Sequence, residues 1–558
     1  MSEYLRIING CIHDPANGVD GLVRDLFIAD GRMVASLTDE QLRSARTIDA
    51  TGCVVMPGGV DIHCHIASSA ANRARALRGE EHATHVHRAD PSTGQRSGSG
   101  NLTPSTFTTG QRYAALGYTT ALEAAVSPSG ARQTHLELSD TPNLDAAFLL
   151  LLGNHQHLIE LLAGQDEAGA VAFASALLRQ TGALGMKIVN PGGVASWRSD
   201  ASHSVISSLD DSVASTSVTP RKILCALATA AETLRLPHAP HIHCNRLGLP
   251  GNVATTLDTL SALQGRRAHL THLQFHAYGS SDKGELISGA TELSAAINAQ
   301  PTITADVGQV IFGEAFTLTA DTPLEHALWK LTGKPTQPYF SIENELETGC
   351  GAMPITYTDK HAVHSVQWAI GLELMLMASD PWRMLLSTDH PNGGSFLAYP
   401  RVIASLMSQS HRQQQLNKAH PAARNHTALA SLTREFTLND IAIVTRAGPA
   451  RALGLTQKGH LGQGADADIT LYNRNLSDPQ TMFESPRWVI KAGQIVVDDG
   501  QLRQSVTGQR FRAPIDPHQR GNHELGRWFD TSGSYSVKQF GLHEHELAAL
   551  RTAEPSVG

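Results

Sequence analysis

From residue 58 to residue 444, short apolar runs suited to strands alternate with longer stretches of helical period, and several of the apolar runs break off at histidine, lysine or aspartate. GYTTALEAAV, LGMKIVN, HAPHIHCN, AHLTHLQF and RMLLSTDH read as strands, while KILCALATAAETLRL and LISGATELSAAINA read as amphipathic helices between them. Parallel strands need long crossovers, so alternation over this span predicts a parallel sheet or a (β/α)8 barrel. The barrel, with large loop insertions, is the favoured expectation. In such a barrel the C-terminal strand ends converge on one mouth, which is where chemistry is built.

A chain of 558 residues exceeds what one ordinary core holds, so a satellite or second domain is expected. The first segment reads as short strands, YLRIING, LFIADGRMVA and TIDATGCVVMPGG, with turn signals at Asn9-Gly10 and Asp30-Gly31. The same texture returns in GHLGQGADADITLYN and WVIKAGQIVVDDGQL. Residues 1–57 and 445–512 are therefore expected to pair into one small β domain flanking a barrel of residues 58–444. The weakly patterned residues 513–558 are read as a tail that wraps the body or a partner. Polar stretches at Ala83–Phe107 and Trp197–Lys222 are read as loops, and Ser408–His426 as an exposed helix.

Several function classes are set aside. No run of about 18 apolar residues is present, which argues against a membrane span. The start, MSEYLRIINGCIHD, has no basic segment followed by a long apolar one, so a cytoplasmic location is expected. A net charge of −8 without a basic block argues against nucleic-acid binding. The six cysteines form no C-x-x-C pair, so a zinc ribbon, an iron–sulfur site and a disulfide framework are not expected.

The stretch VDIHCHIA places His63 and His65 on one face of a strand and Cys64 on the other, because successive side chains alternate. Two imidazoles so placed can share a metal, although 28 histidines in the chain dilute any single pair as evidence. Further candidates stand where later strands meet polar or glycine-containing loops: Lys187 in LGMKIVNPGG, His241 and His243 in PHIHCN, His269, His272 and His276 in LTHLQFH, and Asp389 and His390 in LSTDHPNGG. Histidine and carboxylate donors suit Zn²⁺ with a position left open for water. A buried lysine is costly unless paired or modified, which makes Lys187 conspicuous.

Taken in order, His63, His65, Lys187, His243, His272 and Asp389 resemble the ligand set of the amidohydrolase superfamily, and GLTQKGHLGQGADADITLY with KAGQIVVDDG resembles its flanking β domain. PGGVDIHCHIASSAANRAR, KIVNPGG, HIHCNRLGLPGN, HLTHLQFHAYG and TDHPNGG are similar, more narrowly, to the A subunits of formylmethanofuran dehydrogenases and of formyltransferase/hydrolase complexes. The resemblance spans most of the chain up to Leu502 and leaves the tail uncovered. It implies one or two zinc ions, with Lys187 carboxylated into a bridging ligand and Asp389 as both ligand and catalytic base. Implied too are hydrolysis of an N-formyl amide on a methanofuran-type carrier to formate and free amine, and partners comprising a formyltransferase subunit with B- and C-type subunits. Within PHIHCN the resemblance selects His243 over His241.

Asn72 and Arg73 follow the first ligand strand, and Asn190, Asn245 and Asn392 follow Lys187, His243 and Asp389; these five are expected to meet substrate or orient ligands. Arg73, Arg75 and Arg78 form the nearest cationic cluster for an acidic carrier. Alternative readings are the corresponding component of a molybdenum or tungsten formylmethanofuran dehydrogenase working in the formate-condensing direction, a cyclic amidase or N-acyl-amino-acid deacylase, and a non-catalytic scaffold. Cys64 and Cys244 are expected to face away from the ligands.

Overall fold

The computed structural model describes residues 4–68, 71–72, 74–75, 106–199, 206–213, 216–321, 350–533 and 535–555. Its centre is a barrel of eight parallel strands in sequence order. They are β1 Gly59–Cys64, β2 Tyr118–Val126, β3 Asp145–Leu151, β4 Gly185–Val189, β5 His241–His243, β6 Ala268–Leu270, β7 Ile303–Asp306 and β8 Met384–Leu385. The ring closes where Cys64 bridges to His390, with His65 N donating to His390 O at 2.7 Å. β3, DAAFLLL, is buried throughout, as expected of a strand covered on one side by barrel filling and on the other by helices.

The crossovers are helices with legible ends. Glu167–Thr181 starts at Asp166, which accepts from Gly169 N, and stops at Gly182 in the left-handed region. Pro220–Thr233 starts at Thr219, which accepts from Lys222 N, with proline in its first turn.

Both ends of the chain build the flanking sheet of nine strands. Tyr4–Asp14 pairs with Val19–Ala29, and Cys53–Pro57 lies antiparallel to Ile469–Asn473, the join that unites the two ends. Its core holds Leu5, Ile7, Ile12, Ile28, Val55, Ile469, Leu471 and Ile490. The crossing into the barrel is the Gly58-Gly59 pair: a Cβ at Gly58 would lie 2.2 Å from Thr119 Oγ1, so only glycine lets the backbone pass.

The tail lies on the barrel. Helix Gln519–Ser532 packs on Glu167–Thr181, and Phe511–Arg512 pairs with Arg551–Thr552. Among the described residues no helix is long and apolar enough to cross a membrane.

Three features differ from the sequence reading. β3 and β7 complete the eight but were not among the expected strands, β3 because its aliphatic run carries no polar punctuation and β7 because it has only four residues. Leu286–Ser288 is a strand of a small hairpin, so the helix expected over that stretch covers only Ala290–Asn298. Trp197 and Pro220–Lys222, expected in a loop, lie in helices, whereas the stretch Ala83–Phe107 falls outside the described residues up to 105.

Candidate functional site

The strand ends carry their polar side chains into one buried mouth. His63 lies near the end of β1, His65 directly follows it, and Asp389 follows β8; their potential ligand atoms all lie within 4.8 Å of one another. His63 Nε2 stands 2.9 Å and His65 Nε2 3.3 Å from Asp389 Oδ1. A second group within the same limit joins His243, at the end of β5, to His272 and His276 just beyond β6. The ring centroids of His63 and His272 are 5.3 Å apart, and those of His243 and His272 4.7 Å, so the two groups adjoin.

Backbone geometry aims these groups. His272 has φ 35°, Asp389 φ 49° and Asn190 φ 42°, all in the left-handed region that non-glycine residues avoid. Left-handed residues that are not glycine gather at functional sites, where the surrounding fold over-determines them. The chain leaves β6 before His272, so strand alternation does not govern that residue, and the His269 and His272 rings are both buried.

Carboxylates outside the predicted set support the mouth. Glu123 of β2 accepts from His65 Nδ1 at 3.2 Å and from the backbone of Ile66 and Ala67. Asp306 ends β7; its Oδ2 accepts from His269 Nε2 at 3.0 Å and its Oδ1 from His272 N. A lone acid in the apolar run ALEAAV was the available signal for Glu123. Asp306 had none, since its strand was not recognised.

Burial sets the charges. It would lower the pKa of His65, but the Asp389 and Glu123 carboxylates overcome it and raise the ring to about 9. Burial also raises carboxylates, yet the His272 and His63 rings hold Asp389 well below its ordinary value. His243 and His272 fall well below the ordinary histidine value and His276 to about 3, all chiefly through burial. Burial lowers Lys187 to about 7 despite the attraction of Asp306, Asp389 and Glu123.

The donor set fits a metal. Among the described residues both ring nitrogens of His243 and of His276, His272 Nδ1 and Lys187 Nζ are buried without a hydrogen-bond partner. Buried polar atoms are ordinarily satisfied, and their convergence here is what a cation held by imidazole and carboxylate would relieve. By geometry the candidate metal ligands are His63, His65 and Asp389 in one group, His243, His272 and His276 in a second and His63, His241 and Asp306 in a third, with the Lys187 amine unpartnered beside them.

The expected substrate-facing residues are placed as follows. Asn392 donates to Asp389 Oδ1 at 2.8 Å and accepts from Leu318 N. Asn245 donates to Asn190 Oδ1 at 2.8 Å, and Asn190 N donates to the His243 carbonyl, tying the ends of β4 and β5 together. Asn72 donates to Glu137 and accepts from Arg75, which also donates to Ile66 O. Arg73 and Arg78 lie outside the described residues. Cys64 and Cys244 sit in the apolar core, and burial pushes both thiols up, Cys244 to about 12.

Comparison with known proteins follows this geometry. The model of the amidohydrolase family matches residues 46–497. The chain is 41% identical over 531 residues to Protein FwdA of Methanocaldococcus jannaschii, covering 92% of this chain and 91% of that protein. It is 39% identical over 517 residues to the A subunit of the formyltransferase/hydrolase complex Fhc of Methylorubrum extorquens, with coverage of 92% and 91%. A chain in the crystal structure of the formyltransferase/hydrolase complex FhcABCD from Methylorubrum extorquens, in complex with methylofuran, matches with a TM-score of 0.88 at 36% identity, covering 98% of this chain and 99% of that one.

Proposed function

Because this chain belongs to the amidohydrolase family, we propose that it is the hydrolase subunit of a formyltransferase/hydrolase complex, cleaving an N-formyl amide of a methanofuran-type carrier to formate and free amine. What supports the reading is the convergence in one mouth of buried donors, among them His63, His65, Lys187, His243, His272 and Asp389. The likeness to a component of a complex solved with methylofuran selects the substrate class and the partners, a formyltransferase subunit with B- and C-type subunits.

The donors suit zinc, one or two ions, since imidazole nitrogen and carboxylate oxygen are its usual ligands. Burial lowers Lys187 to about 7, so a part of its amine is neutral near pH 7, and CO₂ would convert that amine, with release of a proton, to an anionic carbamate that could help hold the metal. When bound, the metal supplies Lewis acidity, polarising the formyl oxygen and making a water acidic.

The rest falls to the chain. Asp389, held ionised in the mouth, takes a proton from the attacking water and delivers it to the nitrogen as the C–N bond breaks, so that water and formamide become formate and amine. Asn392 holds the Asp389 carboxylate by its Oδ1. Glu123 holds His65 by its Nδ1, leaving Nε2 toward Asp389. The buried walls exclude bulk water and so strengthen each of these interactions.

The test is metal content and formate release from the formylated carrier, with the co-purified complex compared with its Asp389→Ala variant. Bound zinc with formate release lost in the variant is the expected result. Release at the parental rate would remove Asp389 from the mechanism. Molybdenum- or tungsten-dependent CO₂ reduction by the complex would replace hydrolysis with the formate-condensing direction.

A further inference from the structure

Below the mouth two imidazoles that the hydrolytic steps do not use, His238 and His241, form a row with His63. His238 Nδ1 is 2.7 Å from the Ala452 carbonyl oxygen, His238 Nε2 is 2.9 Å from His241 Nδ1, and His241 Nε2 is 2.9 Å from His63 Nδ1. All three rings have no solvent exposure. A carbonyl oxygen only accepts, so the hydrogen in the first contact belongs to His238 Nδ1. A neutral ring so protonated has a bare Nε2, which must accept from His241 Nδ1. The same reasoning passes through His241 to His63. There Nδ1 donates, which turns Nε2 toward the mouth, 2.9 Å from Asp389 Oδ1.

We propose that His238 and His241 are positioning residues that hold His63 in its Nδ1–H tautomer, through a one-way hydrogen-bond chain anchored at the Ala452 carbonyl, so that the Nε2 lone pair faces the metal position. The proposal rests on the reading of His63 as a ligand. A ligating histidine ordinarily donates its second N–H directly to a carboxylate or carbonyl. Here two imidazoles stand between, and the acceptor belongs to the last residue of helix Gly448–Ala452, the segment leading back to the flanking sheet.

Two other groups touch His63 Nδ1. The Thr271 hydroxyl lies against it, but a hydroxyl both donates and accepts and so imposes no direction. Asp306 Oδ2 is farther, at 3.5 Å, and already accepts from His269 Nε2 at 3.0 Å. The anchor itself is built close. Gly454 has φ 69°, and a Cβ there would come within 2.6 Å of Pro237 Cβ, so glycine permits the approach of the Ala452 segment to His238.

Long-range nitrogen–proton correlation spectra of the full chain, metal-free and labelled at histidine nitrogen, read which nitrogen of each ring carries hydrogen; single substitutions assign the rings. Hydrogen on Nδ1 of His238, His241 and His63 is expected. His241→Gln, whose carboxamide both accepts and donates, should keep the His63 pattern and the zinc affinity. His241→Phe should lose the Nδ1–H preference and weaken zinc binding, measured against a competing chelator, by about 10–100-fold. His238→Phe breaks the chain one ring further away and gives the same reading if the first variant does not fold.

A parent His63 without hydrogen on Nδ1 overturns the proposal, as does an unchanged His63 Nδ1–H in a folded His241→Phe protein. A parent with the expected tautomers whose His63→Ala variant binds zinc undiminished would support the hydrogen-bond chain and overturn only the assignment of His63 as a ligand.

Discussion

At the scale of single residues, the mouth is governed by who holds each donor. His65 stands between Glu123 and Asp389, which in the metal-free protein keep a proton on it up to about pH 9. A metal takes the Nε2 lone pair and so must displace that proton. Zinc affinity should therefore rise with pH by about tenfold per unit until His65 loses its proton unaided, and level off above. Calorimetric titrations in two buffers of different ionisation heat would count the released proton. Glu123→Gln, which removes one of the two charges favouring the proton, should flatten the dependence. Asn392 acts on the other side by donating to Asp389 Oδ1. Asn392→Ala should lower kcat or zinc affinity by about 10–100-fold, measured by formate release and metal retention, with the fold intact by circular dichroism.

At the scale of elements, the flanking sheet is joined to the barrel by buried ions. Lys458 pairs with Asp468 at 2.7 Å and Asp466 at 2.8 Å, and Lys491 pairs with Asp145, the first residue of β3, at 2.6 Å. Lys458 also reaches Asp145, and Arg551 of the tail pairs with Asp466. Removing one member leaves charges buried and unpaired, which costs about 3–5 kcal/mol. Lys458→Ala should lose stability of that order in a denaturant titration, more than substitution of an exposed lysine such as Lys360. Burial would raise Asp145 and Asp468, but Lys458 and Lys491 overcome it and hold both below the ordinary carboxylate value. The stability they contribute is full above the unfolded carboxylate pKa, about 4, and is lost as pH falls through the folded values.

At the scale of the whole molecule, buried neutral histidines set the acid limit. Burial lowers His135 to about 4; its Nε2 contacts the Thr181 carbonyl at 2.9 Å and its ring packs on Phe148. A folded pKa below the unfolded value of about 6.5 means that stability is complete above 6.5 and drains away as pH falls toward 4, because the unfolded chain takes up the proton first. From neutrality to pH 5 this one ring accounts for about 2 kcal/mol. Unfolding by denaturant at pH 7 and pH 5 should show the loss, reduced by about that amount in His135→Leu if the variant folds. The position of this ring couples the effect to architecture: His135 lies on the helix Ala131–Ser139 and bonds the end of Glu167–Thr181, the helix on which the tail packs.

Much of the molecule was legible before its fold. Alternation of strand and helix specifies a parallel sheet, open or closed into a barrel, since parallel strands need crossovers, and runs such as LGMKIVN and HAPHIHCN mark strands by apolar content and mark the mouth by where they stop. The strand ends offered His63, His65, Lys187, His241 or His243, His269, His272 or His276, and Asp389 or His390, and the resemblance to the amidohydrolase superfamily chose among them. Contacts made between distant strands could not. Glu123 and Asp306 act on rings contributed by other strands, and His241 and His238 acquire direction only from a carbonyl more than two hundred residues away. The sequence by itself determined which donors stand at the strand ends, because that depends on local pattern. The tertiary structure alone decided which nitrogen each ring turns toward the mouth and which carboxylate holds it there, because hydrogen-bond direction depends on a partner that only folding brings within about 3 Å.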